Sequence, residues 1–417
     1  MTSKSTHNFD VVIVGAGIIG LSIAWELARR CKLSIAVVDK GAGIGEGSTG
    51  ASSAICRHRY TMDEMLLLAQ AGINAYRNWP QYTQLKRPAA AFNHDGVLWM
   101  PGSDLTWADK EQRRLTQFGI ASQVLDAHQL NDRFPALSAC THTPDVETGQ
   151  DHPCQPGGRY LLEQDGGYMD PTAAAGDLLE ACRSKGIQVS FRSQVTAVQT
   201  QSGRVTGVTL ATGQCLSAPV VVNAAGPWCQ SLSRAAGIEL TWDLHPTRIQ
   251  MIYLDRPPEL LGDIPVTVDM AGGIYFRTQN RGQQLIVGSV LESDEREGID
   301  NPDDFNRYVD DVFQHTKLHL LCHRLPKLPQ RGTVRSYCGL YTVNRDDVHP
   351  IVGPTALDGF WLANGFSGHG FKLAPAIGAM MARGISGEHL SSDPGVPQNF
   401  FAVDRSPFQL ASRSVLA

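Results

Sequence analysis

The run Val11-Val12-Ile13-Val14-Gly15-Ala16-Gly17-Ile18-Ile19-Gly20, with the apolar stretch Leu33–Val38 and Asp39 behind it, constrains this chain more than any other segment. Four apolar residues predict a buried strand, the glycines a tight turn, and the segment from Ile18 to Arg30 a helix. A second apolar run then ends in an acid. Gly15 suits the tight turn, Gly17 the close approach of a pyrophosphate, and Gly20 the packing of helix on strand. Such a helix start presents unpaired N–H groups and a partial positive charge to the pyrophosphate. Asp39 follows about 20 residues on, where a carboxylate can accept from a ribose hydroxyl. An ordinary glycine-rich turn needs no closing acid. Strand, turn, helix and acid together point to a bound dinucleotide.

A chain of 417 residues is long enough for two or three domains. Its net charge of −5 argues against nucleic acid as a partner. No apolar run approaches the roughly 18 residues of a membrane span. The stretch Met1–Asp10 is polar and has no signal-like apolar core, so a cytoplasmic protein is expected, with peripheral membrane association left open. Nine cysteines are scattered without a C-x-x-C pair, as suits reduced thiols. The histidines are scattered too, and no metal site is expected. His315, His319 and His323 form one row on a predicted helix from Asp303 to Arg324, and a solvated or packed helix face is the default reading of that row.

Further along, Thr61–Trp79 reads as a helix stopped by Pro80, and Gly96–Met100 as a short strand. The polar stretch Ser138–Gly158 reads as a long loop. Thr172–Lys185 is helical, and Ile187–Phe191, Val195–Thr200 and Val205–Leu210 are strand-like. Val220–Asn223 is a buried strand that runs into the small residues Ala224-Ala225-Gly226, a second place where backbone can approach a cofactor. Alternation at Ile249–Leu254, Gly273–Thr278 and Gln284–Val290 predicts antiparallel strands. At the end come a strand at Gly359–Ala363, the loop Asn364–Lys372, and a helix from about Leu373 to Arg383.

Taken in order, these segments resemble the D-amino-acid oxidase superfamily of FAD enzymes, which includes sarcosine oxidase, glycine oxidase and proline dehydrogenase subunits. The resemblance is carried by Gly15–Gly20 with Asp39, Gly47-Ser48-Thr49-Gly50-Ala51-Ser52-Ser53, Arg133-Phe134-Pro135 and Gly167–Pro171. It continues through Val222–Trp228, Gly339-Leu340-Tyr341-Thr342, His349–Gly353 and Gly365–Lys372. It implies an α/β fold: a Rossmann-like FAD domain and a substrate domain on a large, mostly antiparallel sheet. The FAD domain would comprise residues 1–85, 155–238 and 339–417, and the substrate domain residues 86–154 and 239–338.

The same resemblance assigns FAD to Gly15, Gly17, Ile18, Ile19, Gly20, Asp39 and Lys40, and to Gly47, Ser48, Thr49, Ser52, Ser53 and Ala54. It adds Val195, Ala225, Gly226 and Trp228 on the adenosine side, and Gly339, Gly368, His369, Gly370, Phe371 and Lys372 beside the flavin. Arg57 and Lys372 stand where relatives clamp a substrate carboxylate, as suits a planar fork and a point charge. Tyr275 and Tyr341 fall where relatives place tyrosines over the substrate. His58 and Arg59 are expected behind the site or on the surface.

Two departures from sarcosine oxidase matter. Gly339 stands where that enzyme has its flavin-linking cysteine, with Cys338 one residue away, so non-covalent FAD is expected. Ile286 stands where it has an oxygen-activating lysine, which weakens the oxidase reading and leaves oxygen or a quinone-type carrier as the acceptor. The expected reaction is oxidation of a C–N bond in a small amino acid, or N-alkyl or cyclic amino acid, to an imine. The alternatives are an oxidase of an amine without a carboxylate, and a flavoprotein subunit of an electron-transfer complex with partner chains.

Overall fold

The computed structural model describes residues 6–150, 152–329, 332–410, 414 and 416. Its first sheet has six strands in the order Ile351–Pro354, Phe360–Asn364, Val220–Asn223, Val11–Val14, Ile35–Val38, Gln188–Ser190. All pair in parallel except the edge strand Ile351–Pro354. At its centre Val11–Val14 and Ile35–Val38 are covered on both faces, which is why every residue in them is apolar. Val11 and Ile13 face the helices Ile18–Arg30, Pro171–Ser184 and Gly370–Ser386. Val12 faces the other way, onto a four-stranded sheet built from Thr6–Asn8, Val195–Gln201, Arg204–Leu210 and Cys215–Ser217.

The larger sheet has eight strands in the order Val334–Asn344, Leu244–Asp255, Gln284–Ser289, Ile274–Gln279, Val266–Asp269, Val97–Met100, Tyr160–Glu163, Ser122–Leu125. Only the pair Val266–Asp269 and Val97–Met100 is parallel. Its alternation separates two faces. Ile252, Phe276, Leu285 and Val287 pack with Leu320 and Leu321 of the helix Asp311–Arg324. Tyr275, Arg277, Ile286 and Gly288 share the opposite face through direct pairing of Tyr275 with Gly288 and Arg277 with Ile286.

Several expected boundaries move. The helix expected from Asp303 begins at Asp311, because the Arg248 guanidinium takes the carbonyls of Asn306 and Tyr308 and holds that stretch out of helical geometry. Pro80 does not simply end a helix: the first closes at Arg77, and Pro80 sits in the first turn of a second, Trp79–Thr83, where its missing N–H costs nothing. Tyr160–Glu163 lies in the eight-stranded sheet, beyond the expected change at 154/155, because Glu163 pairs with Val97 and Ser122. Val334–Asn344 likewise runs past 338/339, paired along its length with Leu244–Leu254.

Candidate active site

The βα turn is built as its residues require. Gly15 has φ 113°, and a side chain there would strike the Ala224 carbonyl. Asp39 accepts from the Ala16 N–H and the Gly41 N–H, each at 2.7 Å, so the acid fastens the turn to the end of the second strand. Thr49 Oγ1 accepts from the Ile18 N–H at 3.0 Å and draws the 47–53 loop over the helix start. Neither the Ile18–Arg30 helix nor the Gly370–Ser386 helix has a side-chain N-cap. Both open on one cleft of 740 Å³. Such helix starts favour negative charge.

The cleft is lined by Gly15, Gly17, Ile18, Ile19, Asp39, Lys40, Gly47, Ser48, Thr49 and Ser52, then by Val195, Ala225, Gly226 and Trp228. Gly339, Tyr341, Gly368, Gly370 and Phe371 line its remainder. Two of these carry buried polar atoms with no partner among the described residues, Ser48 Oγ and Trp228 Nε1. Buried donors and acceptors of this kind ordinarily have partners, so the cleft is shaped for a polar occupant. Lys40 lies 4.1 Å above the Trp228 ring and pairs with Asp303 at the rim. Gly339 is small for a physical reason: a Cβ there would come within 2.5 Å of Ala51 Cβ.

Five residues assigned to the cofactor do not line the cleft. Gly20 lies inside the helix, where a side chain would strike the Gly15 carbonyl, so its role is packing. Ala54 is buried with φ 51° and its carbonyl accepts from Met169 N–H. His369 is buried behind the last helix start, with Nδ1 3.0 Å from the Tyr60 hydroxyl. Burial, then Lys372, Arg57 and His349, hold its imidazolium pKa well below the ordinary 6.5, so this ring is neutral. Ser53 and Lys372 line a second, smaller space.

That second space is a chamber of 40 Å³ that shares Ser52, Tyr341, Gly368 and Phe371 with the cleft. Arg57, Tyr275, Tyr341 and Lys372 all line it. Four residues scattered over more than 300 positions thus meet at one point. Val268, Val290, Ile55 and Leu416 supply apolar walls, and no carboxylate is among the described lining residues. Arg57 and Lys372 are 3% and 5% exposed. Their charged heads stack on one ring, Tyr60, at 4.2 Å and 5.8 Å from its centroid. Arg57 also donates to the Arg59 carbonyl. Burial, with Arg57 adding repulsion, brings the Lys372 pKa from 10.5 down to about 7. Burial also raises the Tyr275 and Tyr341 hydroxyls, so both are neutral. Gly288 leaves the room Tyr275 needs: a Cβ there would lie 2.5 Å from its hydroxyl.

Of the two places expected for them, behind the site or on the surface, His58 and Arg59 take the first: both are buried. Glu163 accepts from both of their backbone N–H groups and from Trp99 Nε1, and lies 3.2 Å from His58 Nδ1. Arg59 donates to the Leu416 carbonyl at 2.7 Å. Two further residues were not singled out from sequence. Tyr60 carries no periodic signal. Arg277 does, since it is two residues from Tyr275 on the same strand face. It is buried, donates to Ser53 O at 2.7 Å and lies 4.2 Å over the Tyr168 ring.

Comparison with known proteins agrees with this architecture. Residues 10–383 match the family described as DAO, FAD dependent oxidoreductase. The chain belongs to this family and is an FAD-dependent oxidoreductase. It is similar to FAD-dependent oxidoreductase domain-containing protein 1 of Xenopus laevis, 26% identical over 89% of this chain and 78% of that one. It is similar also to glycine oxidase of Pseudomonas putida, 28% identical over 92% of this chain and 96% of the other. The crystal structure of L-proline dehydrogenase from P. horikoshii shares the fold, with TM-score 0.79 at 20% identity, covering 96% of this chain and 98% of that one. Among the described residues no helix is long and apolar enough to cross a membrane.

Proposed function

We propose that the protein oxidises the C–N bond of a small amine that carries a carboxylate, an amino acid or an N-alkyl or cyclic amino acid, with FAD held non-covalently. The observation that carries this reading is the meeting of Arg57, Lys372, Tyr275 and Tyr341 in a chamber that opens on the cofactor cleft. Two buried cations on one side of the chamber suit an anionic group. The names of glycine oxidase and L-proline dehydrogenase support the amine class.

Residues 15–19, Asp39, the 47–52 loop, Val195, Ala225, Gly226 and Trp228 would hold the adenosine and pyrophosphate, and Gly339, Gly368, Gly370 and Phe371 the flavin. Gly339 offers no sulfur for a covalent link. Bound FAD supplies one thing, acceptance of a hydride from the substrate carbon. The protein's groups do the rest. The Arg57 fork and the Lys372 ammonium seat the carboxylate, and the Tyr60 ring beneath them keeps both heads aimed at one place. Tyr275, Tyr341 and the apolar walls exclude water and align the substrate C–H, so catalysis here rests on positioning. The amine reacts in its neutral form, and the resulting imine is hydrolysed in water or, if cyclic, released intact. At 40 Å³ the chamber favours a small substituent on the reacting carbon.

Anaerobic bleaching of the bound flavin by a panel of D-, L-, N-methyl and cyclic amino acids tests the reading, with matching amines lacking the carboxylate alongside. Bleaching by a carboxylate-bearing member, and not by its decarboxylated partner, is expected. Equal bleaching by both would remove the clamp. In the same preparation acid precipitation should leave the flavin in solution as FAD.

A further inference from the structure

The 138–158 excursion folds against the end of the Asp311–Arg324 helix, on the face of the larger sheet turned away from the chamber. A bridge between Cys140 and Pro156 closes its base, and Thr141 N–H donates to Gln155 O at 3.1 Å. Arg324 anchors it from below. This fully buried guanidinium pairs with Asp269 at 2.6 and 2.9 Å and donates to the Cys140 carbonyl, while the Arg324 carbonyl accepts from Ser138 N–H.

The fold thereby gathers thiols and imidazoles that are scattered in sequence. Cys140, His152 and His323 place ligand atoms within 4.8 Å of one another. Cys140 Sγ is 3.3 Å from His152 Nε2, and the His152 and His323 rings are 5.1 Å apart. His323 Nε2 faces the His142 carbonyl at 3.1 Å. A carbonyl can only accept, so that nitrogen carries the proton and Nδ1 keeps its lone pair. A histidine whose second nitrogen donates to a backbone carbonyl is the usual state of a metal-bound one. Cys154, on the returning limb of the same loop, has its thiol 3.9 Å from Ser138 Oγ.

We propose that Cys140, His152 and His323, with Cys154 as fourth ligand, bind one zinc ion that staples this loop to the helix end. Two thiolates and two neutral imidazoles are the donor set of a closed, four-coordinate structural zinc site. Among the described residues no carboxylate is in the cluster, and the thiol and imidazole donors suit zinc rather than magnesium or calcium. Bond lengths of about 2.0–2.3 Å put tetrahedral ligand atoms roughly 3.3–3.8 Å apart, so Cys140, His152 and His323, within 4.8 Å, need side-chain shifts of about 1 Å to close, and Cys154, outside that group, must swing in to complete the set. On this reading the row His315, His319, His323 is not itself the site: only its last member meets partners from another loop. With all four positions taken by protein the ion holds structure and leaves no place for substrate.

The test uses the full-length, flavin-loaded protein. Elemental analysis after dialysis should find about one zinc per chain. Exchange to cobalt should give tetrahedral d–d bands at wavelengths longer than flavin absorbs, with thiolate charge transfer in the ultraviolet. Cys140→Ser and His323→Ala should lose the metal yet keep their flavin, and chelation should open the 143–150 loop to protease. Absence of metal after dialysis against zinc, a cobalt spectrum without thiolate bands, metal retained equally in both variants, or a Cys140–Cys154 disulfide in freshly purified protein would each overturn the proposal. The wild-type zinc content and cobalt spectrum decide it even if neither variant folds.

Discussion

Raising the pH through neutrality should weaken the binding of small carboxylates, and the cause would be Lys372. Burial first, then the neighbouring Arg57, bring its pKa from 10.5 to about 7. That fall corresponds to about 4–5 kcal/mol of lost preference for the charged form. A carboxylate seated between Arg57 and Lys372 restores part of it, so the pKa in the complex lies above 7. Linkage gives the sign. Below pH 7 both free and bound enzyme carry the proton and affinity is flat. Above pH 7 the free enzyme loses the proton first, and affinity falls about tenfold per pH unit until the pKa of the complex is reached. If pairing recovers about 2–3 kcal/mol, binding should weaken about 10- to 30-fold between pH 7 and 9. Acetate, titrated against the flavin absorbance, is the right probe because it has no amine of its own to titrate. Lys372→Met should bind acetate weakly at every pH in this window. The same group makes a second mark. Between pH 7 and 10.5 the unfolded chain binds more protons at Lys372 than the folded one, so this residue makes stability rise with pH. The methionine variant should lack that rise. Wild-type affinity that is flat, or that tightens, between pH 7 and 9 would refute the reasoning.

Three further outcomes follow from the geometry. Arg57→Ala should keep its flavin, since Arg57 does not line the large cleft, and lose about 2–5 kcal/mol of carboxylate affinity, roughly 30- to several-thousand-fold by titration. Gly15→Ala should purify with little FAD, read from the ratio of flavin to protein absorbance, because its side chain would strike the Ala224 carbonyl at φ 113°. Reduced enzyme mixed rapidly with oxygen should reoxidise slowly compared with the same enzyme and a quinone. Ile286 supplies no cation there, and its strand partner Arg277 is engaged with Ser53 and Thr278. Oxygen reoxidation fast enough to sustain turnover would point instead to Lys372 or Arg277.

What was legible in the sequence was whatever short-range chemistry decides. The helix Ile18–Arg30 runs as read because glycines bound its start and apolar spacing carries it onward. Asp170 and Pro171 begin the helix Pro171–Ser184 by local rules: the aspartate side chain accepts from Ala173 N–H, and proline takes the first turn. Arg57, Lys372, Tyr275 and Tyr341 were reached by resemblance, and their meeting could not be read from spacing. What was left open or misplaced shares a cause, a partner distant in sequence. Glu163, more than 100 residues away, decides between the two places open to His58 and Arg59, and Arg248 unwinds the stretch before Asp311 from about 60 residues away. Tyr60 gives no signal at all until Arg57 and Lys372 stack on it.

The order of strands in the six-stranded sheet has a consequence for how the molecule is made. Val11–Val14 leaves the ribosome first, yet one of its neighbours is Val220–Asn223, and the strand beyond that is Phe360–Asn364. The first glycine turn is therefore synthesised long before Ala225, Gly339 and Gly368, the walls that complete its cleft. A half-made chain has the phosphate-binding turn and nothing to hold the rest of a nucleotide against it. Cofactor loading becomes one of the last events, and it rewards only a chain whose distant ends have already met. Supply of flavin would then act as a checkpoint, since binding to the finished fold alone draws the population toward it.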